Sequence, residues 1–212
     1  MMILSYARLS PGILILGGRH TSNYQSVEFW SAFDPAFGSC VLDDYPREMA
    51  HGPTVNLVSD GDGTLRLVAC SADTCEIFED GASPSISGSW QYLQNTTVRR
   101  GLHSSATRKD AVLLIGGYHS NSTEWIPVDG SPPQPGPFTV RHGWSHCTMQ
   151  ISDNTIVVTG GRDTKDIVTQ YHLDDGNETS LTPLGQPRSD HACGVYQDLD
   201  GQQVSKRLCS CK

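Results

Sequence analysis

Positive charge is scarce in this chain. Across 212 residues, Lys plus Arg number 15 against 23 Asp plus Glu, a net charge of −8, and the cations form no stripe. Nucleic-acid binders carry a basic patch, so no nucleic-acid partner is expected. Long apolar runs are missing too. None approaches the roughly 18 residues that span a bilayer as a helix, so no membrane segment is expected. Aromatics are 8% and hydrophobic residues 37% of the chain. Catalytic signatures are also absent. Gly160-Gly161-Arg162-Asp163-Thr164-Lys165 lacks the Gly-Lys-Ser/Thr order of a phosphate loop. No nucleophile elbow and no His-bearing metalloprotease motif occurs, so no catalytic residue and no cofactor is assigned.

What is abundant is Gly (21), Pro (12) and Cys (7). High Gly and Pro with modest hydrophobicity suits many short strands joined by turns. Seven cysteines exceed the usual cytosolic number. Three sequons accompany them, at Asn95, Asn121 and Asn177, each a glycosylation candidate. Together they point to an extracellular, secreted protein, with the cytoplasm as the alternative. The opening Met1-Met2-Ile3-Leu4-Ser5-Tyr6-Ala7-Arg8 has no basic lead, and Arg8 interrupts its apolar part. No signal peptide is read there, and a missing N-terminus is expected.

One stretch recurs. Ala111-Val112-Leu113-Leu114-Ile115-Gly116-Gly117 is a short apolar run closed by two glycines. Ile13-Leu14-Ile15-Leu16-Gly17-Gly18 and Thr155-Ile156-Val157-Val158-Thr159-Gly160-Gly161 repeat it. Leu65-Arg66-Leu67-Val68-Ala69-Cys70-Ser71 is a worn copy with Cys-Ser in place of the glycines. Gly117 and Gly161 stand 44 residues apart, Ser71 and Gly117 46, and Gly18 and Ser71 53. Periods of about 40 to 50 with several strands each are propeller-like.

A second landmark keeps the same period. An Arg followed by a His precedes each run after the first: Arg47 and His51, Arg100 and His103, Arg141 and His146, Arg188 and His191. A small residue follows each His. Each unit then reads as a four-stranded meander. In the third, 103–107 is the first strand and 111–115 a second strand buried on both faces. Residues 123–126 form a half-exposed third strand, and the proline run 132–137 breaks the chain before a fourth strand at 138–140. The expected units are 13–46, 47–98, 99–140 and 141–187, with a partial one at 188–208. The first begins late, at Ile13, without an Arg…His strand ahead. The whole is read as one domain, a fragment of a longer ring, and monomeric unless its open edges pair.

These glycine pairs, with Trp90 and Tyr171 near aromatic positions, resemble the kelch-repeat family. The segments around Arg188 to Cys193 and Arg141 to Cys147 look like the cysteine-bearing secreted kelch proteins of invertebrates. The resemblance implies an all-β fold: a kelch-type β-propeller of the galactose-oxidase-like superfamily. Four to five four-stranded blades of a six-bladed ring would be present. It also implies a non-catalytic module that binds a protein partner through loops at one face. The chain departs from the pattern where unit two loses its glycines and unit three shifts its Trp, and no cullin-adaptor domain stands in front. Two alternatives follow from the resemblance: a copper-radical oxidase of the galactose oxidase type, and an intracellular kelch adaptor without its other domains. The copper set of Tyr, Cys and His cannot be placed residue by residue.

The loops after the glycines supply the candidate partner contacts: Arg19, His20, Tyr24, Tyr118, His119, Arg162, Asp163 and Lys165. Cys70 and Cys75 flank a short loop and are read as a local disulfide that replaces the glycine turn. Cys147 and Cys193 both come after a repeat His, so a bridge between adjacent units is expected. Cys40, Cys209 and Cys211 are not placed, and an odd total leaves at least one thiol without an intrachain partner. His142 and His146, read on one strand, would sit about 13 Å apart, too far for one metal ion. Asp60-Gly61-Asp62-Gly63 lacks the bidentate Glu of a calcium loop and is read as a hairpin turn. No metal site is expected.

Overall fold

The computed structural model describes residues 52–59, 64–78 and 88–195 in full, together with 44–46 and the strand residues 5–9, 12–16, 27–31, 39–42 and 79–80. Sixteen strands fall into four antiparallel sheets of four, and no helix occurs among the described residues. The first sheet joins β1 (Ser5–Leu9), β2 (Gly12–Leu16), β3 (Val27–Ser31) and β4 (Ser39–Leu42). The second joins β5 (Thr54–Ser59), β6 (Leu65–Cys70), β7 (Thr74–Asp80) and β8 (Gly88–Asn95). The third joins β9 (Ser104–Arg108), β10 (Ala111–Ile115), β11 (Ser122–Pro127) and β12 (Gln134–Thr139). The fourth joins β13 (Cys147–Ser152), β14 (Thr155–Thr159), β15 (Val168–His172) and β16 (Glu178–Ser180). In every sheet the spatial order follows the chain order, so each is a meander.

The sheets stand in a row. First strands touch in sequence: β1 meets β5, β5 meets β9, and β9 meets β13. Among the described residues this row is not closed into a ring.

The second strand of each sheet explains the apolar runs. Val112 and Leu114 of β10 face the second sheet and pack with Val58, Val68 and Ile77. Leu113 and Ile115 point the other way, into Ile156, Val158 and Tyr171 of the fourth sheet. These four side chains, Val112 to Ile115, are fully buried. Strand alternation thus feeds two cores from one strand, which requires an unbroken apolar run. Each such side chain contributes about 1.5–3 kcal/mol by leaving water.

The glycine pairs sit where the next repeat's lead-in loop lands. Gly116 and Gly160 have φ of 57° and 61°. A Cβ on Gly116 would lie 2.7 Å from Val140 Cγ2 and 3.0 Å from His146 Cε1. A Cβ on Gly160 would lie 2.7 Å from His191 Cε1 and would strike the Arg188 carbonyl. The second glycine of each pair then donates its N–H across the junction: Gly117 to Gly143 O at 3.2 Å, and Gly161 to Arg188 O at 2.9 Å.

Both expected disulfides form. Cys70–Cys75 closes the β6–β7 turn with a Cα separation of 4.1 Å, in the place of the lost glycines. Cys147–Cys193 ties the chain after β16 back to β13 across 46 residues, with Cα atoms 6.0 Å apart. Closing a loop of that length stabilises by about 4 kcal/mol in the chain-entropy account.

Several expectations need correction. The first sheet begins at Ser5, not Ile13, because β1 pairs with β2 from Ser5↔Leu16 to Leu9↔Gly12 without the Arg–His landmark. The proline run does not break the third sheet: β12 starts at Gln134 and contains Pro135 and Pro137. Proline fits there because β12 is an edge strand, with a register irregularity between Ser122 and Glu124 of its neighbour. Of the expected partial unit at 188–208, residues 192–195 carry no strand. The remaining part of the partial unit, 196–208, and Cys209 and Cys211 lie outside the described residues, as do Arg47 and His51. Cys40 is placed only by its strand, β4.

Candidate binding surface

The meander puts two kinds of loop at one end of the row. One kind links second to third strands, after the glycines. The other leads into the next first strand. The repeat histidines belong to the second kind and hold neighbouring sheets together. His103 Nδ1 donates to the Arg100 carbonyl at 2.8 Å, which leaves Nε2 of the neutral ring to accept from Thr54 Oγ1 of β5 at 3.2 Å. His146 Nε2 meets Ser104 Oγ of β9 at 2.8 Å. His191 Nε2 meets Thr159 Oγ1 of β14 at 2.9 Å. Each ring therefore reaches back to the sheet before it.

The residue ahead of each His adds a second link. Leu102, Ser145 and Asp190 all hold φ near +55°, a conformation costly for residues with a Cβ. In return, Asp190 N donates to Ser145 O, and Ser145 N donates to Leu102 O, both at 3.0 Å. A hydrogen-bonded chain thus runs from lead-in loop to lead-in loop.

Burial keeps these imidazoles neutral. It holds His103 down to about 4. Burial, and then the nearby His142, hold His146 down to about 3. His142 and His191 are lowered as well, again first by burial. Rings held neutral by desolvation and tied to hydroxyls act as staples, not as acids or bases at neutral pH.

Arg100 is the other buried element, with 1% of its side chain exposed. Its Nε donates to Glu124 Oε2 at 3.3 Å, and its guanidinium also donates to the carbonyls of Ser122 and Gly116. The fourth sheet fills this place differently. Arg141 is 74% exposed and pairs with Glu178 on the surface, so it is not the structural arginine of that unit. His142 takes the buried place instead, with Nδ1 on Gly160 O at 2.8 Å and Nε2 on Thr169 Oγ1 at 3.1 Å. Thr169 stands where β11 carries Glu124. His142 and His146 lie in a loop, not on a strand, and their ring centroids are 6.1 Å apart, far closer than a strand would hold them. No group of three or more His, Cys, Asp or Glu able to hold a metal ion occurs among the described residues.

Several expected contact residues come together at this end. Tyr118 is 48% exposed and its N–H reaches Gly101 O, which pins its loop to the lead-in loop of its own sheet. Its ring lies against His119, with centroids 3.9 Å apart. It also meets Trp144 edge-on at 5.4 Å. Arg162 lies over the same indole, with Cζ 4.9 Å from the centroid, and pairs with Asp190 at 3.6 Å. The result is a continuous Tyr–Trp–Arg patch built from three loops. Asp163 lies over Gly143, close enough to exclude a Cβ there. Lys165 stands apart: it is exposed, and its backbone carbonyl accepts the Arg188 N–H. Arg19, His20 and Tyr24 lie outside the described residues. Trp144 is the member that sequence reasoning missed. Its position between Arg141 and His146, inside a lead-in loop, was the available signal.

The three sequon asparagines, Asn95, Asn121 and Asn177, are all exposed. Asn95 and Asn121 belong to the end that carries the patch, and Asn177 to the β15–β16 turn at the opposite end.

No family model and no curated protein matches this chain. Among solved structures it is similar to one described as "Structure of YjhT", with a TM-score of 0.69 and 9% identity. The match covers 92% of this chain and 69% of the other. At that identity the likeness concerns the fold alone.

Proposed function

We propose that this chain is a non-catalytic protein-binding module, a kelch-type β-propeller in part, that engages its partner through the loops at the Tyr118 end. The observation that carries the reading is the patch of Tyr118, Trp144 and Arg162. Tyr, Trp and Arg are the residues that most often anchor interfaces. Here Tyr118 meets Trp144 edge-on and Arg162 lies over the same indole, so little side-chain freedom is left to lose on binding. The row of sheets brings three separate loops together at one end, an arrangement that suits recognition of a surface.

The ring reading rests on the repeating junction. Residues 188–191 reproduce it a further time: Arg188 O on Gly161 N, Asp190 in the left-handed region, His191 on the preceding sheet. A fifth unit of a six-bladed ring would start in this way. Two disulfides and three exposed sequons favour an extracellular, glycosylated protein.

The test is affinity capture with photo-crosslinking, comparing the unaltered chain with a Tyr118→Ser, Arg162→Ala variant. Crosslinks should map to 118–119, 144 and 162, and capture should fall at least about tenfold, as expected for losing two anchors. Equal capture by the variant, or crosslinks confined to the opposite end, would reject the surface.

A further inference from the structure

The outer edges of the sheets are not protected alike. β12 carries Pro135 and Pro137, which cannot donate to a further strand. β16 has three residues, and its Glu178 is engaged by Arg141. β4 has four. β8 is different: it runs for eight residues, Gly-Ser-Trp-Gln-Tyr-Leu-Gln-Asn, with no proline and no charge. It pairs only with β7 among the described strands. Natural edge strands of this length normally bear a Lys, a Pro or a bulge that blocks pairing; β8 has one such irregularity, at Leu93, and none within 88–92.

We propose that β8 pairs with β8 of a second copy of this chain, antiparallel about a two-fold axis at Trp90. Residues 88–92 keep an unbroken register with β7, from Asp80↔Gly88 to Glu76↔Tyr92. The irregularity comes only after them, at Leu93. Every second residue of that segment turns its N–H and C=O away from β7. Centring the pair on Trp90 sets Gly88 against Tyr92 and Ser89 against Gln91, twice each. Ser89 and Gln91 are exposed, and Gln91 Nε2 already donates to Ser89 Oγ at 2.9 Å, so both side chains lie along the surface. The strand is uncharged, so two copies meet without repulsion, which a charged edge would not allow. Tyr92, 56% exposed, adds apolar area at each end of the pairing. Asn95 falls beyond the paired residues, so a glycan there leaves the contact open.

Five paired residues a side are less than a standard interface, so the dimer is weak and reversible. This surface lies on the outer edge, away from Tyr118, and stands or falls independently of the binding patch.

Sedimentation velocity on the full chain, raised in steps to about 1 mM, should show a growing dimer fraction. A Ser89→Lys, Gln91→Lys variant opposes lysines across the axis and should weaken the dimer at least about tenfold. Hydrogen exchange on the unaltered chain gives a second readout that needs no variant: amides within 88–92 should slow as concentration rises. A chain that stays monomeric throughout would overturn the proposal. So would association that the lysines leave unchanged, or concentration-dependent protection confined to other strands.

Discussion

The most informative perturbation is a graded series of glycine-to-alanine changes. Gly160 lies at φ 61°, and its added Cβ would strike the Arg188 carbonyl and lie 2.7 Å from His191 Cε1. Gly130 has a similar positive φ, 79°, yet nothing lies within 4 Å of its Cβ position. Gly185 has open space and no left-handed conformation. The three sites separate the two costs. Gly185→Ala should be neutral or stabilise by up to about 1 kcal/mol, through a less flexible unfolded chain. Gly130→Ala should cost about 1–2 kcal/mol, the left-handed strain alone. Gly160→Ala should cost that strain plus about 1–3 kcal/mol of overpacking, because a backbone carbonyl cannot swing aside as a side chain can. The total is about 2–5 kcal/mol. Urea unfolding followed by fluorescence measures all three, with unchanged slopes required for the comparison. If Gly160→Ala costs no more than Gly130→Ala, the pair is not there for close approach, and the junction as described is wrong.

Three further outcomes follow. His103 and His146 have folded values near 4 and 3, below the unfolded 6.5, so the unfolded chain binds their protons first and stability is lost as pH falls below 6.5. Each should account for about 2 kcal/mol of loss at pH 5, so the stability gap between the unaltered chain and His146→Gln should narrow by about that much from pH 7.5 to pH 5. The difference is measured because Glu76, pushed up to about 7 by burial, shifts the whole-chain curve in the opposite sense. A gap independent of pH would refute the neutral staple. Arg100→Met leaves the Glu124 carboxylate buried and should cost about 3–5 kcal/mol, and a double-mutant cycle with Glu124→Leu should return a coupling of about 2 kcal/mol; a value near zero would contradict the buried pair. Treatment with a glycosidase should lower the intact mass of protein secreted from eukaryotic cells, and an unchanged mass would remove the sequons from the account.

Much of the architecture was readable because its causes are local. An apolar run that feeds two cores must be continuous, and glycines must close it where the next loop packs, so β10 and β14 announce themselves. The worn second unit was also readable, since the Cys70–Cys75 bridge occupies the turn. What escaped is positional. β12 hides in a proline run because an edge strand needs donors on one side only. β1 lacks the Arg–His landmark. The buried polar place of the fourth sheet is filled by His142 and Thr169 rather than Arg and Glu, so the exposed Arg141 mimics the motif from one position away. The binding patch was half legible: Tyr118, His119 and Arg162 follow glycines, whereas Trp144 reaches them from another repeat, which spacing along the chain cannot reveal.

The central claim is that the lead-in loops at 141–146 and 188–191 seat on the glycine pairs of the sheets before them, Gly116-Gly117 and Gly160-Gly161. Peptide mapping without reduction tests it most directly, because the claim places residues 188–193 against β13 and β14. Digestion should yield a linked pair containing Cys147 and Cys193, separate from a peptide holding Cys70 and Cys75. Cys147 bridged to Cys40, Cys209 or Cys211, or recovered as a free thiol, would contradict that arrangement.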